Sequence, residues 1–488
     1  MNQSPAGFDL LVIGGGISGA AVALAGARRG LRVLLVERQD FASGASSSSS
    51  KLVHGGLRYL KQGDWRLTRE SLQAREQLLR DAPGLVQRLR FLMPHRPGQS
   101  PGRFTMRVGL AAYDLLAGRR TRSFLSAEAA QRLVPGLAAE QGASGYEDAS
   151  TDDARLTLRL LQEARQAGAE LRNYTELLGL HRDAQGRVRG ARLRGPDGVE
   201  RELAVGCAIA TAGAQLGPLA AQAGMTLPAL RPLRGSHLLL PLQRLPLTCA
   251  VAWSHPQDGR PVFAYPWLGT LIVGTTDVDQ PDPLQAPRIS REEQDYLLAG
   301  LAHAFPGAGI GAADLQCSWA GLRPVITSGQ GLAPSKESRE HLVLAKDGLV
   351  ALSGGKLTTF AAMAQAALQA ASPWLPPLAP LPGPLLPPAA DGHWGDLSAV
   401  VRTGERLPHT QTLIGELRHS LQHEQVHHLD DLLLRRTRLG LLQPGFGQAL
   451  LPALQMHCQE LLGWDAARYA DECERYLALM RRDHGVFL

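Results

Sequence analysis

Residues 9–13 are a short apolar run ending in glycines, residues 20–29 place apolar side chains at helical spacing, and residues 33–36 are apolar again. That order predicts strand, helix and strand at the head of the chain. Helical spacing returns over residues 156–169, while residues 187–194 and 206–211 read as strands rejoining the same sheet. Residues 269–275 and 342–352 read as two further buried strands. Strands alternating with helices predict an α/β fold class.

Prolines and glycines crowd residues 372–396, which predicts a stiff, extended linker that divides the chain. Beyond it, residues 397–488 carry apolar positions at helical spacing, Val426, Leu429 and Leu433 among them, and predict a small all-helical domain. Residues 88–118 mix arginines with Phe91, Leu92, Met93, Phe104, Met106, Val108 and Leu110. They read equally as a basic amphipathic surface on lipid headgroups or as a helix packed between domains.

At 488 residues the chain has room for two or three domains, each of roughly 100–200 residues. The net charge of +6 is modest for this length, and no basic run interleaves with aromatics, so nucleic-acid binding has little support. Five cysteines are scattered singly, with no metal-cage spacing, which fits a reduced, cytosolic setting. No basic leader with an apolar core is present, and no run of apolar residues is long enough to span a bilayer.

Gly14, Gly16 and Gly19 form a G-x-G-x-x-G turn directly after the first strand, with Ile17 and Ser18 opening the helix. Such a turn admits a pyrophosphate to the backbone and aims a helix N-terminus at it. Glu37 ends the second strand, 18 residues after Gly19, where a carboxylate reaches an adenosine ribose. These residues predict a dinucleotide site without separating FAD from NAD. The hydroxyl-rich segment that follows, with Ser46, Ser47, Ser50, Lys51, His54, two glycines, Arg58 and Tyr59, suits a flavin and an anionic ligand, or is simply a solvated serine loop.

From Ser46 to Leu60 this segment resembles the glycerol-3-phosphate dehydrogenase branch of the glycine-oxidase and D-amino-acid-oxidase superfamily. Further matching motifs follow in order: PHRP at 94–97, DDARL at 152–156, GSH at 235–237, GTTD at 274–277, GLRP at 321–324, SREH at 338–341, GGKLTT at 354–359 and DDLLLRRTRLG at 430–440. One departure is ATAGAQ at 210–215, where the family carries a sequence close to NATGPW. The resemblance implies a Rossmann-like FAD-binding domain of the glutathione-reductase type, interleaved with an antiparallel-sheet substrate domain. The FAD and substrate domains would share residues 1–371, the substrate part lying mainly in 75–150 and 225–325, followed by the linker and the C-terminal all-helical domain.

It further implies oxidation of sn-glycerol 3-phosphate to dihydroxyacetone phosphate by hydride transfer to FAD. Arginine forks suit the phosphate: Arg323 and Arg339 are the leading candidates, with Arg58, Tyr59 and Lys356 completing the site. His54 and His237 are the candidate bases, because imidazole titrates near neutral pH. His95, in a proline-flanked loop, reads as structural or close to the membrane. Gly213, Gly354, Gly355, Leu357 and Thr358 join the cofactor-binding set, with Lys356 opening a helix whose amides face the flavin.

The chain has no haem or iron–sulfur motif and no second dinucleotide turn, so the electrons must leave to an external acceptor. The resemblance implies membrane quinone, with a cytoplasmic protein attached peripherally to an anionic membrane surface. Oxygen as acceptor, an amine or amino-acid oxidase of the same fold, and a non-catalytic flavin-binding regulator are the alternatives. Arg435, Arg436 and Arg438 are expected to serve either homodimer contacts or anionic lipid.

Overall fold

The computed structural model describes residues 7–57, 60, 63–98, 102–327, 341–388 and 404–488. Its first sheet has eight strands. Phe8–Ile13 lies at its centre, parallel to Val33–Val36 on one side and to Glu200–Ala210 on the other. Leu349–Gly354 continues the parallel order beyond Glu200–Ala210, and Glu170–Arg172 beyond Val33–Val36. Side chains alternate across a strand, and both faces are buried here. Leu10, Val12, Val33 and Leu35 join a core under the helices Ile17–Ala27, Asp153–Gln166 and Phe360–Ala371. Leu11, Ile13, Leu34 and Val36 join a second core with the hairpin Glu176–Arg182/Val188–Arg194 and the helix Leu216–Gln222. Burial on both faces is why these strands read as unbroken apolar runs.

The second sheet has ten strands. Its spine is the antiparallel set Cys317–Ile326, Leu230–Pro241, Thr270–Gly274, Pro261–Trp267 and Ala250–Ser254. Val86–Pro94 joins this set in parallel and pairs on its other side with Ala143–Thr151. Neighbouring residues again point to opposite faces: Phe91 to one core, Leu92 to another. The Phe91 core also holds Leu417, Val426, Leu429, Leu433, Tyr476 and Met480, so the C-terminal region packs on one face of this sheet and shares its core.

Several sequence expectations change in detail. Residues 342–352 are not one strand but the hairpin His341–Lys346/Leu349–Gly354, turned at Asp347-Gly348. Residues 88–118 split between the buried strand Val86–Pro94 and the helix Arg103–Ala117. Val426 lies outside any helix, Leu429 opens the helical segment that widens into the turn Asp431–Arg436, and Leu433 sits in that turn; all three are buried. The proline-rich stretch, described as far as residue 388, is a strap rather than a free spacer. Arg28 donates to the Leu385 carbonyl at 2.8 Å and Arg159 to that of Pro387 at 3.0 Å, while Leu385 and Leu386 are buried in the first core.

Arg435, Arg436 and Arg438 are buried and form no exposed basic face. Each is buried against carboxylates from the N-terminal half of the chain. Among the described residues no helix is long and apolar enough to cross a membrane.

Candidate active site

The turn after Phe8–Ile13 closes because its glycines lack side chains: a Cβ on Gly19 would lie 1.8 Å from the Gly14 carbonyl oxygen. Helix Ile17–Ala27 therefore starts hard against the end of the strand, and its first amide, Ile17 N, donates to Ser46 Oγ at 2.9 Å. Glu37 accepts from Gly15 N at 2.8 Å and Gln39 N at 2.9 Å. Burial pushes its carboxyl above the usual range, against the pull of those two amides.

From this turn a cavity of about 1970 Å³ runs between the two sheets. Pockets for small ligands hold roughly 300–1,000 Å³, so this one has space for a dinucleotide and a substrate together. Gly14, Gly16, Ile17, Ser18, Glu37, Ser46, Ser50, His54, Gly213, Arg323, Gly354, Gly355, Lys356, Leu357 and Thr358 all line it. Sequence positions more than 300 residues apart are thus gathered on one surface. Lys356 precedes the turn Leu357–Thr359, which runs on into helix Phe360–Ala371, and its Nζ donates to Ser71 Oγ at 3.2 Å. Thr358 Oγ1, on the cavity wall, is buried with no hydrogen-bond partner among the described residues. A glycine turn, a ribose-height carboxylate, a helix start and an orphaned hydroxyl along one elongated cavity fit FAD.

Arg323 lies in the strand Cys317–Ile326 and faces the cavity. Its guanidinium donates to Asp277 Oδ1 at 3.0 Å, Thr276 O at 3.2 Å and Thr275 Oγ1 at 3.0 Å. Gly235, on the neighbouring strand two residues beyond Leu233, the partner of Arg323, makes this possible, since a Cβ there would stand 2.2 Å from Arg323 Nη2. Arg260 reaches the other oxygen, Asp277 Oδ2, at 3.0 Å and also lines the cavity. Two guanidiniums on one carboxylate leave a net positive charge, suited to an anion.

Four expected residues lie elsewhere. Gly19 packs behind the turn, and Ser47 does not line the cavity. Lys51 is fully buried, with its Nζ at 2.8 Å from Asp153 Oδ1, at 2.9 Å from Ser47 O and over the rings of Trp267 and Trp319, so it braces the serine loop from behind the cavity wall. His237 is buried, stacked on Trp319, with Nε2 2.8 Å from Ser50 Oγ. Burial, followed by Arg323 and Lys51, holds its pKa well below the ordinary value, so it is a neutral ring one layer behind the wall. His54 is the exposed candidate base, its loop anchored by Gly55 N donating to Asp148 Oδ1 at 3.0 Å. His95 is structural, buried with Nε2 2.7 Å from Ser144 Oγ. Arg58, Tyr59 and Arg339 lie outside the described residues.

Sequence reading missed Arg260, Ser48, Ser49 and the wall contributed by Tyr174–Leu177 and His428. Arg260 stands alone in the loop QDGRP with nothing to mark it. Ser48 and Ser49 were within reach of the serine-run signal.

Comparison with known proteins agrees with this geometry. The family model "FAD dependent oxidoreductase" matches residues 9–370, and "C-terminal domain of alpha-glycerophosphate oxidase" matches residues 396–469. The aerobic glycerol-3-phosphate dehydrogenase of Bacillus subtilis is 38% identical over 370 residues, covering 73% of this chain and 65% of that protein. Its namesake in Staphylococcus saprophyticus is 36% identical over 367 residues, with the same coverage. The chain thus spans just under two thirds of the length of these curated relatives. The structure of glycerol-3-phosphate dehydrogenase from Bacillus halodurans complexed with FAD superposes with a TM-score of 0.78 at 25% identity, covering 98% of this chain and 96% of that one. L-alpha-glycerophosphate oxidase from Mycoplasma pneumoniae shares the fold, with a TM-score of 0.62 at 21% identity over 77% of this chain and 97% of that one. The match over most of the chain, together with the cavity built at the glycine turn, makes this protein a member of the FAD-dependent oxidoreductase family, with FAD as its cofactor.

Proposed function

We propose that the chain oxidises sn-glycerol 3-phosphate to dihydroxyacetone phosphate. The observation that carries this reading is a pair of guanidiniums on the cavity wall: Arg260 and Arg323 on the single carboxylate of Asp277, with Lys356 as a further cation lining the same cavity. A phosphate monoester outcompetes an amino-acid carboxylate for such a site because it brings more charge and more acceptor oxygens. In this reading Arg58, Tyr59 and Arg339 complete the phosphate site. His54 takes the substrate hydroxyl proton, and neutral His237 positions Ser50. Bound FAD supplies the hydride acceptor, and the protein supplies position and electrostatics. The amides of Leu357 and Thr358, at the start of this turn, offer positive potential to a reduced flavin. The names carried by the curated relatives support the substrate.

Quinone is the acceptor in this reading, reached from a membrane surface. Helix Arg103–Ala117 supports it: Phe104, Val108 and Leu115 are exposed on one stripe, and Phe104 and Val108 rim the cavity beside Trp65. The test is anaerobic: the oxidised flavin band is followed on adding sn-glycerol 3-phosphate, glycine or D-alanine, and the reduced protein is then exposed to a quinone in anionic vesicles or to oxygen. Bleaching by glycerol 3-phosphate alone and reoxidation by quinone are expected. Bleaching by an amine overturns the substrate, and fast reoxidation by oxygen alone overturns the acceptor.

A further inference from the structure

The C-terminal turn Asp431–Arg436 and Arg438 beyond it reach, through three buried guanidiniums, two loops that line the cavity. The first loop follows Glu37. Its Asp40 is buried and bonds Arg435, Arg436 (Nη2 to Oδ1 at 2.8 Å) and Asn173 Nδ2 at 3.1 Å. Asn173 also donates to the Gln425 carbonyl at 2.9 Å, and its neighbour Tyr174 donates through its hydroxyl to Asp431 at 2.7 Å. Glu37 and Gln39 are themselves tied by their carbonyls to Thr175 N at 2.8 Å and Tyr174 N at 3.0 Å. The second loop is the serine run. Arg438 grips Asp152 (Nε at 3.0 Å) and Asp153 (Nη2 at 2.9 Å), while Asp153 holds Ser49 N at 2.9 Å, Ser49 Oγ at 2.7 Å and Lys51 Nζ at 2.8 Å. Ser46, which meets the first helix amide, belongs to the same loop. His428 and Arg435 line the cavity itself.

Attachment of the C-terminal region does not require these charges, because an apolar core already joins it to the second sheet. Buried ion pairs are a poor source of stability, and their best-attested use is to fix position. We propose that the C-terminal turn is a clamp for FAD. Asp40, Arg435, Arg436 and Arg438 are positioning residues that hold the adenosine-side loop and the serine loop at the spacing the cofactor needs. The clamp depends on FAD alone, so its test is independent of which substrate is oxidised.

The test uses the full chain with Asp40→Asn and, on the other arm, Arg438→Lys. Arg418→Ala, which breaks an exposed C-terminal pair with Glu460, serves as the control. The FAD dissociation constant is measured by titration of flavin fluorescence, the bound flavin spectrum is recorded at saturation, and apoprotein fold and melting temperature are followed by circular dichroism. The expected result is a dissociation constant raised roughly tenfold or more in Asp40→Asn and Arg438→Lys. Excess FAD should restore the bound spectrum, and the control should remain at the parent value. A folded Asp40→Asn or Arg438→Lys that binds FAD as the parent does overturns the clamp, as does a fall in melting temperature with unchanged affinity. Should neither variant fold, Tyr174→Phe, which keeps every charge, decides by the same affinity criterion.

Discussion

Replacing Arg323 by lysine keeps the charge and removes the fork. In the parent, three bonds to Asp277, Thr276 and Thr275 set the plane of the guanidinium at the cavity wall. A lysine ammonium offers three donors around one nitrogen and cannot hold Asp277 while presenting two parallel donors to a phosphate. Each lost charge-assisted hydrogen bond is worth roughly 1.5–3 kcal/mol, which lowers kcat/KM about tenfold to a hundredfold for one bond. Arg323→Gln loses the charge as well and should fall by about a further tenfold or more. The assay is anaerobic stopped-flow reduction of the flavin over a range of sn-glycerol 3-phosphate concentrations, with FAD content checked by absorbance. The lysine variant should lose chiefly apparent affinity and the flavin spectrum should hold. If Arg323→Lys and Arg323→Gln both reduce FAD within threefold of the parent kcat/KM, the phosphate is held elsewhere and the site is misread.

Gly235→Ala should reproduce the Arg323→Lys defect without touching the arginine, because its Cβ would stand 2.2 Å from Arg323 Nη2; unchanged KM for glycerol 3-phosphate refutes this. His54→Gln should slow flavin reduction by about 10²–10⁴-fold with FAD affinity unchanged, and parent-like reduction would remove His54 as the base. Burial pushes the Asp152 carboxyl up, but Arg438, Lys51 and the Arg155 amide outweigh it and hold the group down to about 2. A depressed acid contributes stability that is complete above its unfolded pKa of about 3.9 and lost as pH falls towards the folded value. Denaturant midpoints should therefore drop by an amount worth roughly 2–3 kcal/mol between about pH 5 and pH 1, and Asp152→Asn should lack that segment of the curve.

What was legible in the sequence is what local pattern encodes. The glycine turn, Glu37 and the buried strands declare themselves because periodicity and turn chemistry act over a few residues. The GGKLTT segment and the serine loop became specific only through family resemblance; without it, a run of serines has the composition of any solvated loop. Asp347-Gly348 carried a hairpin signal that went unread inside a run of apolar residues. Lys51 and His237 show what a motif leaves out: each stands in a site motif, and the fold turns Lys51 onto Asp153 and stacks His237 on Trp319.

The arginines of RRTR make the physical reason plainest. Read locally, three cations among leucines and acids describe a solvated helical face, since unpaired charges are almost never buried. Their partners Asp40 and Asp152 stand hundreds of residues earlier, and no periodicity links such positions. Burial becomes favourable only after both sheets and the C-terminal region have assembled, because each guanidinium then meets carboxylates already fixed in place. The same condition separates the two kinds of arginine in this protein. Arg435, Arg436 and Arg438 spend their donors on carboxylates and neighbouring carbonyls inside the fold, whereas Arg260 and Arg323 share one carboxylate at the cavity wall and keep charge in excess for a ligand.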